Sequence, residues 1–169
     1  MLALLLVVLG AGMRLLPHLP NFTPIAAIAL FGGVYLKREY ALALPLAALF
    51  LSDFALGFDS WQGRLTVYGS FVLIGLLGLV IRRKKNLGTV VAGSLGGSLV
   101  FYLITNFAYF YAPTMYPHTL AGAMSSYYNA LPFFRNTLMG DLFYTGLLFG
   151  AYELVHLLVK QKTRVPVAA

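Results

Sequence analysis

Long apolar runs separated by short polar links dominate the chain. Neither strict alternation nor a narrow amphipathic stripe is visible, so the pattern predicts helices with no face reserved for water. The first run is Leu2–Leu16, short for a membrane crossing, with Arg14 near its end where the side chain can snorkel to the interface. Residues 17–24 follow with Pro17, Pro20 and Pro24 around Asn21, which predicts a rigid non-helical link. A second short run, Ile25–Leu36, stops at Lys37-Arg38-Glu39. The third, Tyr40–Phe58, holds Pro45 near its start and Asp53 near its far end. A polar turn at Phe58–Arg64 leads to the fourth, Leu65–Ile81, which halts at Arg82-Arg83-Lys84-Lys85. The fifth covers Leu87–Tyr111 and the last Pro132–Val159. Between them, Tyr111–Leu131 is too polar for a span and too aromatic for a plain linker. It predicts an irregular or short-helical outer segment, lying on the bundle as a lid. The expected fold is therefore all-α: a polytopic membrane protein with about six transmembrane helices in one bundle over residues 1–160, then a cytoplasmic tail, 161–169.

Composition sharpens this. Of the 169 residues, 60% are hydrophobic and 10% charged, with a mean hydropathy of +0.81. A soluble domain carries about 25% charged residues to cover its surface. The shortfall implies a surface that faces lipid. The net charge of +7 is concentrated rather than spread, since nine of the twelve bases lie at Lys37-Arg38, at Arg82–Lys85 and at Lys160, Lys162 and Arg164. Each cluster follows an apolar run, as cytoplasmic loops do under the positive-inside rule. With six spans and a cytoplasmic N-terminus, all nine fall inside and only Arg14, Arg64 and Arg135 fall outside. Both termini are thus expected in the cytoplasm. No basic stripe with interleaved aromatics occurs in a polar segment, so nucleic acid is not an expected partner. There is no cysteine, which excludes disulfides, thiolate metal sites and cysteine nucleophiles.

Helical rise turns positions into depths. Asp141 falls roughly 13 Å below the outer interface, near the midplane, and Asp53 roughly 8 Å deep. Asn106 lies at a similar depth on the fifth span, Arg135 and Asn136 in the first turn of the last, and Arg14 at the outer end of the first. Polar groups thereby gather in the outer half, while the inner half is nearly all apolar apart from Glu153 and His156. Polar groups in lipid cost several kcal/mol unless they face a cavity or a partner. Tyr102, Asn106 and Tyr109 share one helical face, and Thr137, Asp141, Tyr144 and Thr145 another. Two such faces suit a small polar molecule. The candidate substrate contacts are Asp53, Asn106, Tyr109, Arg135, Asn136, Asp141, Arg14 and Asn21. A structural alternative stands beside this, in which Asp53 or Asp141 pairs with Arg14 or Arg135 and locks the bundle.

Other motifs carry less. Gly93-x-x-x-Gly97 and Gly146-x-x-x-Gly150 allow close helix approach. Glu153-Leu-Val-His156 is a single Glu-x-x-His without partner carboxylates, so no metal is expected. No nucleophile–base pair or phosphate-binding loop is present, and neither enzymatic activity nor a cofactor is expected.

The stretch from Leu19-Pro-Asn-Phe-Thr-Pro through Phe31-Gly-Gly, with Leu44-Pro-Leu-Ala-Ala-Leu-Phe-Leu-Ser-Asp53, resembles the early helices of S components, the substrate-binding subunits of energy-coupling factor vitamin transporters. Leu131-Pro-Phe-Phe-Arg-Asn-Thr-Leu-Met-Gly-Asp-Leu142 resembles their last span. The chain as a whole is closer still to a group of small bacterial membrane proteins described as transport proteins. The resemblance implies a bacterial inner-membrane bundle with a vitamin-sized pocket open to the outside, working with a transmembrane coupling subunit and cytoplasmic ATPases. S components often dock that subunit through alanines on the first helix. Here that helix offers only Ala3, Gly10, Ala11 and Gly12, and Ala29 and Gly33 on the second span supply a small-residue face instead. The other class of function consistent with the sequence is a non-transporting subunit of a larger membrane complex.

Overall fold

A computed structural model describes residues 2–111 and 115–162. Residues 112–114 of the expected outer segment and 163–169 of the expected tail lie outside the described residues. Among the described residues seven α-helices follow one another: α1 (Leu2–Leu15), α2 (Ile25–Tyr35), α3 (Arg38–Leu56), α4 (Trp61–Ile81), α5 (Leu87–Tyr111), α6 (Leu120–Asn129) and α7 (Leu131–Lys162). A single 3-10 turn at Arg82–Lys84 extends α4. Among the described residues there is no strand. Four helices, α3, α4, α5 and α7, are long and apolar enough to cross a membrane, whereas α1 and α2 are shorter. Their outward side chains (Phe54, Val80, Leu99 and Phe143 among them) are exposed apolar residues on the perimeter, as lipid-facing surfaces are.

Local chemistry sets the boundaries. The polar residues from Phe58 to Arg64 do not form one turn: Ser60 accepts a hydrogen bond from the Gly63 N–H at 3.1 Å, so α4 begins at Trp61. Gly57, at φ 91°, ends α3 in a backbone conformation that side chains resist. In the proline link, Pro20 and Asn21 occupy the centre of a turn closed by the Phe22 N–H on the Leu19 carbonyl at 2.9 Å. Asn21 takes φ 63°, the left-handed region that asparagine tolerates. Thr119 caps α6 through the Gly122 N–H at 3.1 Å. The last helix runs two residues into the stretch read as tail, to Lys162.

The centre of the molecule is α2. Ten of its eleven residues are buried, from Ile25 to Val34, and α3, α4, α5 and α7 surround it. Apolarity on every side makes sense for a helix that touches protein on every side. Its contact with α4 is a backbone-to-backbone crossing. A Cβ placed on Gly33 would lie 2.7 Å from the Gly78 Cα, and one on Gly78 would meet the Leu30 carbonyl. The small-residue face of Ala29 and Gly33 is therefore consumed inside the bundle, with Ala29 fully buried, and is not a surface for a partner. By contrast, Gly146 and Gly150 on α7 have nothing within contact distance of a Cβ.

Both ends of this core are clamped, one by polar contacts and the other by aromatic ones. At the basic end, Arg82 Nε donates to the Gly33 carbonyl at 2.9 Å and its Nη2 to the Leu36 carbonyl, covering carbonyls left over at the C-terminus of α2. Lys85 pairs with Glu153, which also accepts from the Tyr35 hydroxyl, and the ammonium lies 4.7 Å from the Tyr35 ring centre. The hydrogen bond to Glu153 holds the Lys85 ammonium above its usual range. At the opposite end Phe22 anchors the proline link on α7 by stacking on Phe143 and Tyr144, with ring centres 5.9 and 5.5 Å apart. Gly140 leaves room for it.

Candidate functional site

A cavity of about 490 Å³ lies where the proline link, α4, α5, α6 and α7 meet. Volumes of this order suit small organic ligands. Its buried floor consists of Thr105, Ser126 and Thr137. Phe101, Tyr102, Phe133 and Phe134 form aromatic walls, with Tyr102 stacked against Phe134 at 4.4 Å between centroids. Asn21, Tyr109, Met115 and Asn129 make an exposed rim. Among the described residues no charged side chain lines it.

Most polar atoms of the wall are already engaged with the protein. Thr105 and Thr137 hydroxyls donate to the carbonyls one turn back, Phe101 at 2.8 Å and Phe133 at 3.0 Å. Tyr102 donates to the Tyr127 carbonyl at 2.7 Å, Tyr127 to the Leu103 carbonyl at 2.9 Å, and Ser126 to the Asn106 carbonyl at 3.0 Å. These three bonds pin α6 onto α5 and close one side of the cavity. Burial pushes the Tyr127 hydroxyl above its usual pKa, with the neighbouring Tyr102 adding to the effect. Asn129 reaches Tyr116 at 3.2 Å. Asn106 Nδ2 donates to the Tyr102 carbonyl at 2.8 Å. Its Oδ1, the Asn21 amide and the Tyr109 hydroxyl have no partner among the described residues. The cavity thus presents two amides and a phenol between aromatic walls, which can bind an uncharged planar molecule by stacking and hydrogen bonding.

Of the residues singled out in the sequence, Asn21, Asn106 and Tyr109 come together in this cavity. Asp53 and Arg14 lie elsewhere, in a clamp between α1, α3 and α4. Arg14 Nη1 lies 2.7 Å from Asp53 Oδ1, donates to the Leu49 carbonyl at 3.2 Å and contacts the Ser52 hydroxyl. Tyr68 donates to the other carboxylate oxygen at 2.6 Å. This is the pairing alternative for Asp53, with Tyr68 as an extra partner. Arg135 is exposed and Asn136 half-buried at the start of α7, outside the cavity lining. Asp141 is 3% exposed, one helical turn beyond Thr137, with its Oδ2 2.6 Å from Ser98 Oγ. Ser94 and Thr145 complete its surroundings, their hydroxyls 3.3 Å apart. The half of the molecule read as dry therefore carries a hydroxyl seam between α5 and α7. Ser94 and Ser98 continue the helical face of Tyr102 and Asn106 at four-residue steps, a signal present in the sequence but lost among small residues. Tyr116 and Asn129 depend on the placement of α6, which no periodicity on α5 or α7 announces.

The fold and its perimeter define an α-helical membrane protein with a neutral, aromatic-walled cavity near one end. The chain belongs to DUF6580, a family of unknown function, whose model matches residues 1–166. Neither the curated proteins nor the solved structures provide a match.

Proposed function

We propose that the protein is a substrate-binding transport subunit of the bacterial inner membrane for a small, uncharged, vitamin-like molecule. The cavity carries this reading: about 490 Å³, no charged side chain among the described residues that line it, and two amides and a phenol in its wall. The chain crosses the bilayer six times with both termini in the cytoplasm. In support, α3 begins, α4 ends, α5 begins and α7 ends at basic residues, while the cavity sits toward the other ends of α5 and α7. Basic clusters belong in the cytoplasm, so the cavity opens outward. The C-terminus of α2 lies at the basic end, held by Arg82, and Arg14 at the end of α1 reaches Asp53 near the opposite end of α3. The short pair α1–α2 thus runs up and down like the longer helices. A coupling subunit with cytoplasmic ATPases is the partner implied by the resemblance to S components. With Ala29 and Gly33 buried, it would meet the outward faces of α1 or α7.

The test is a thermal-shift screen of the purified protein against uncharged heteroaromatic vitamins and precursors, including nicotinamide, pyridoxine and riboflavin. A ligand at a hundred times its Kd stabilises by about 2.7 kcal/mol. At least one compound should raise Tm, and Asn106→Leu should abolish the rise while Arg135→Gln preserves it. A panel without any stabiliser, or a shift indifferent to Asn106, overturns the reading. The second class, an accessory subunit of a larger complex, draws on the open Gly146–Gly150 face of α7. Stoichiometric co-purification of membrane subunits without an ATPase would favour it.

A further inference from the structure

The bundle contains two buried carboxyl groups in apolar surroundings, and it treats them differently. Asp53 meets a guanidinium and a phenol, one on each oxygen. Asp141 meets no cation among the described residues. Facing it are Ala26, Ala27 and Leu30 of α2, Ile74 of α4, and Ser94, Gly97 and Ser98 of α5. No titratable or charged group from these helices, nor Thr137 or Thr145 on its own helix, answers it. A lone carboxylate there would carry the full cost of a desolvated charge.

Proton counting fits the same state. Ser98 has one hydroxyl proton and two acceptors in range: Asp141 Oδ2 at 2.6 Å and the Ser94 carbonyl at 3.1 Å. Back-bonding to the carbonyl four residues earlier is the ordinary habit of a helical serine. When Ser98 serves Ser94, the 2.6 Å contact needs a proton from Asp141 itself. A bound sodium ion is a poorer occupant. It requires a shell of several oxygens, and the void beside Asp141 admits no water-sized sphere.

We propose that Asp141 is a proton-binding site: the side chain is held as the neutral acid, donating to Ser98 Oγ, in a hydroxyl seam that begins at the cavity floor. Thr137, which forms that floor, lies about 6 Å along α7 from Asp141. On protonation the carboxylate takes a proton from the aqueous side; on release the proton returns to water and Ser98 turns its own hydroxyl toward the carboxylate. Resting on the transport reading above, the consequence is a substrate-binding step that responds to pH through this site.

Infrared difference spectroscopy of the full chain in lipid nanodiscs tests the site without any ligand. At neutral pH a carboxylic-acid C=O band should be present, shift in D2O, disappear in Asp141→Asn and persist in Asp53→Asn. Raising the pH should convert it to carboxylate bands. Ser98→Ala should move the band by removing its acceptor, a readout that survives even where Asp141→Asn does not fold. Absence of the band at neutral pH, or its loss on adding sodium chloride at constant pH, overturns the proposal. A failed vitamin screen leaves this result untouched, so the two readings fail separately.

Discussion

Among the described residues Arg14 is the only cation paired with Asp53, and it also reaches the Leu49 carbonyl and the Ser52 hydroxyl. Its side chain is 21% exposed and that of Asp53 10%. Removing one member of a buried pair leaves the other charge uncompensated and costs about 3 kcal/mol or more. Arg14→Gln should therefore lower the melting temperature clearly in detergent. Because the clamp lies apart from the cavity, the same variant should keep whatever ligand-induced shift the parent shows. A variant of unchanged stability that has lost its ligand would place Arg14 in the binding site after all. Tyr68→Phe leaves one Asp53 oxygen without its donor and should cost about 1–3 kcal/mol in the same melt.

At the level of helices, the glycines divide into two kinds. Gly33 and Gly78 face each other across the α2–α4 crossing, where a new methyl group meets backbone that cannot yield. Gly33→Ala should destabilise by about 3 kcal/mol. Gly146→Ala and Gly150→Ala add a methyl group to open space and should stay within about 1 kcal/mol of the parent. Thermal unfolding followed by size-exclusion homogeneity separates the cases. The sequence motifs do not: both glycines of Gly146-x-x-x-Gly150 look like packing glycines, and whether they pack depends on what lies opposite. The same limit governs the other elements. Runs of the right length announced α3, α5 and α7 to within a few residues, and Ser60 before Trp61 was an available helix-start signal for α4. An all-apolar α2 reads identically whether lipid or protein surrounds it. Asn106 and Tyr109 were legible as polar groups on one helical face and Asn21 as a polar residue of the proline link, but their cavity draws on four helices and a link, and its Tyr116 and Asn129 wall depends on α6.

For the whole molecule, orientation is open to a direct experiment, since the sequence contains no cysteine to remove. Single cysteines at Ser60, in the turn before α4, and at Lys84 mark the two ends of the bundle. An impermeant maleimide should label Ser60→Cys on intact spheroplasts and Lys84→Cys only after permeabilisation. The reverse pattern would turn the cavity toward the cytoplasm and undo the uptake reading. The central position of α2 bears on how such a bundle is made. Its eleven residues span about 16 Å, roughly half the hydrocarbon thickness, and nearly all of its surface is matched to protein. All four helices that enclose it (α3, α4, α5 and α7) follow it in the chain, so none has packed against it when it leaves the ribosome. The segment cannot hold a lasting place in lipid by itself, so biogenesis must shelter it until translation reaches α7, and the last helix synthesised completes the burial of nearly the first.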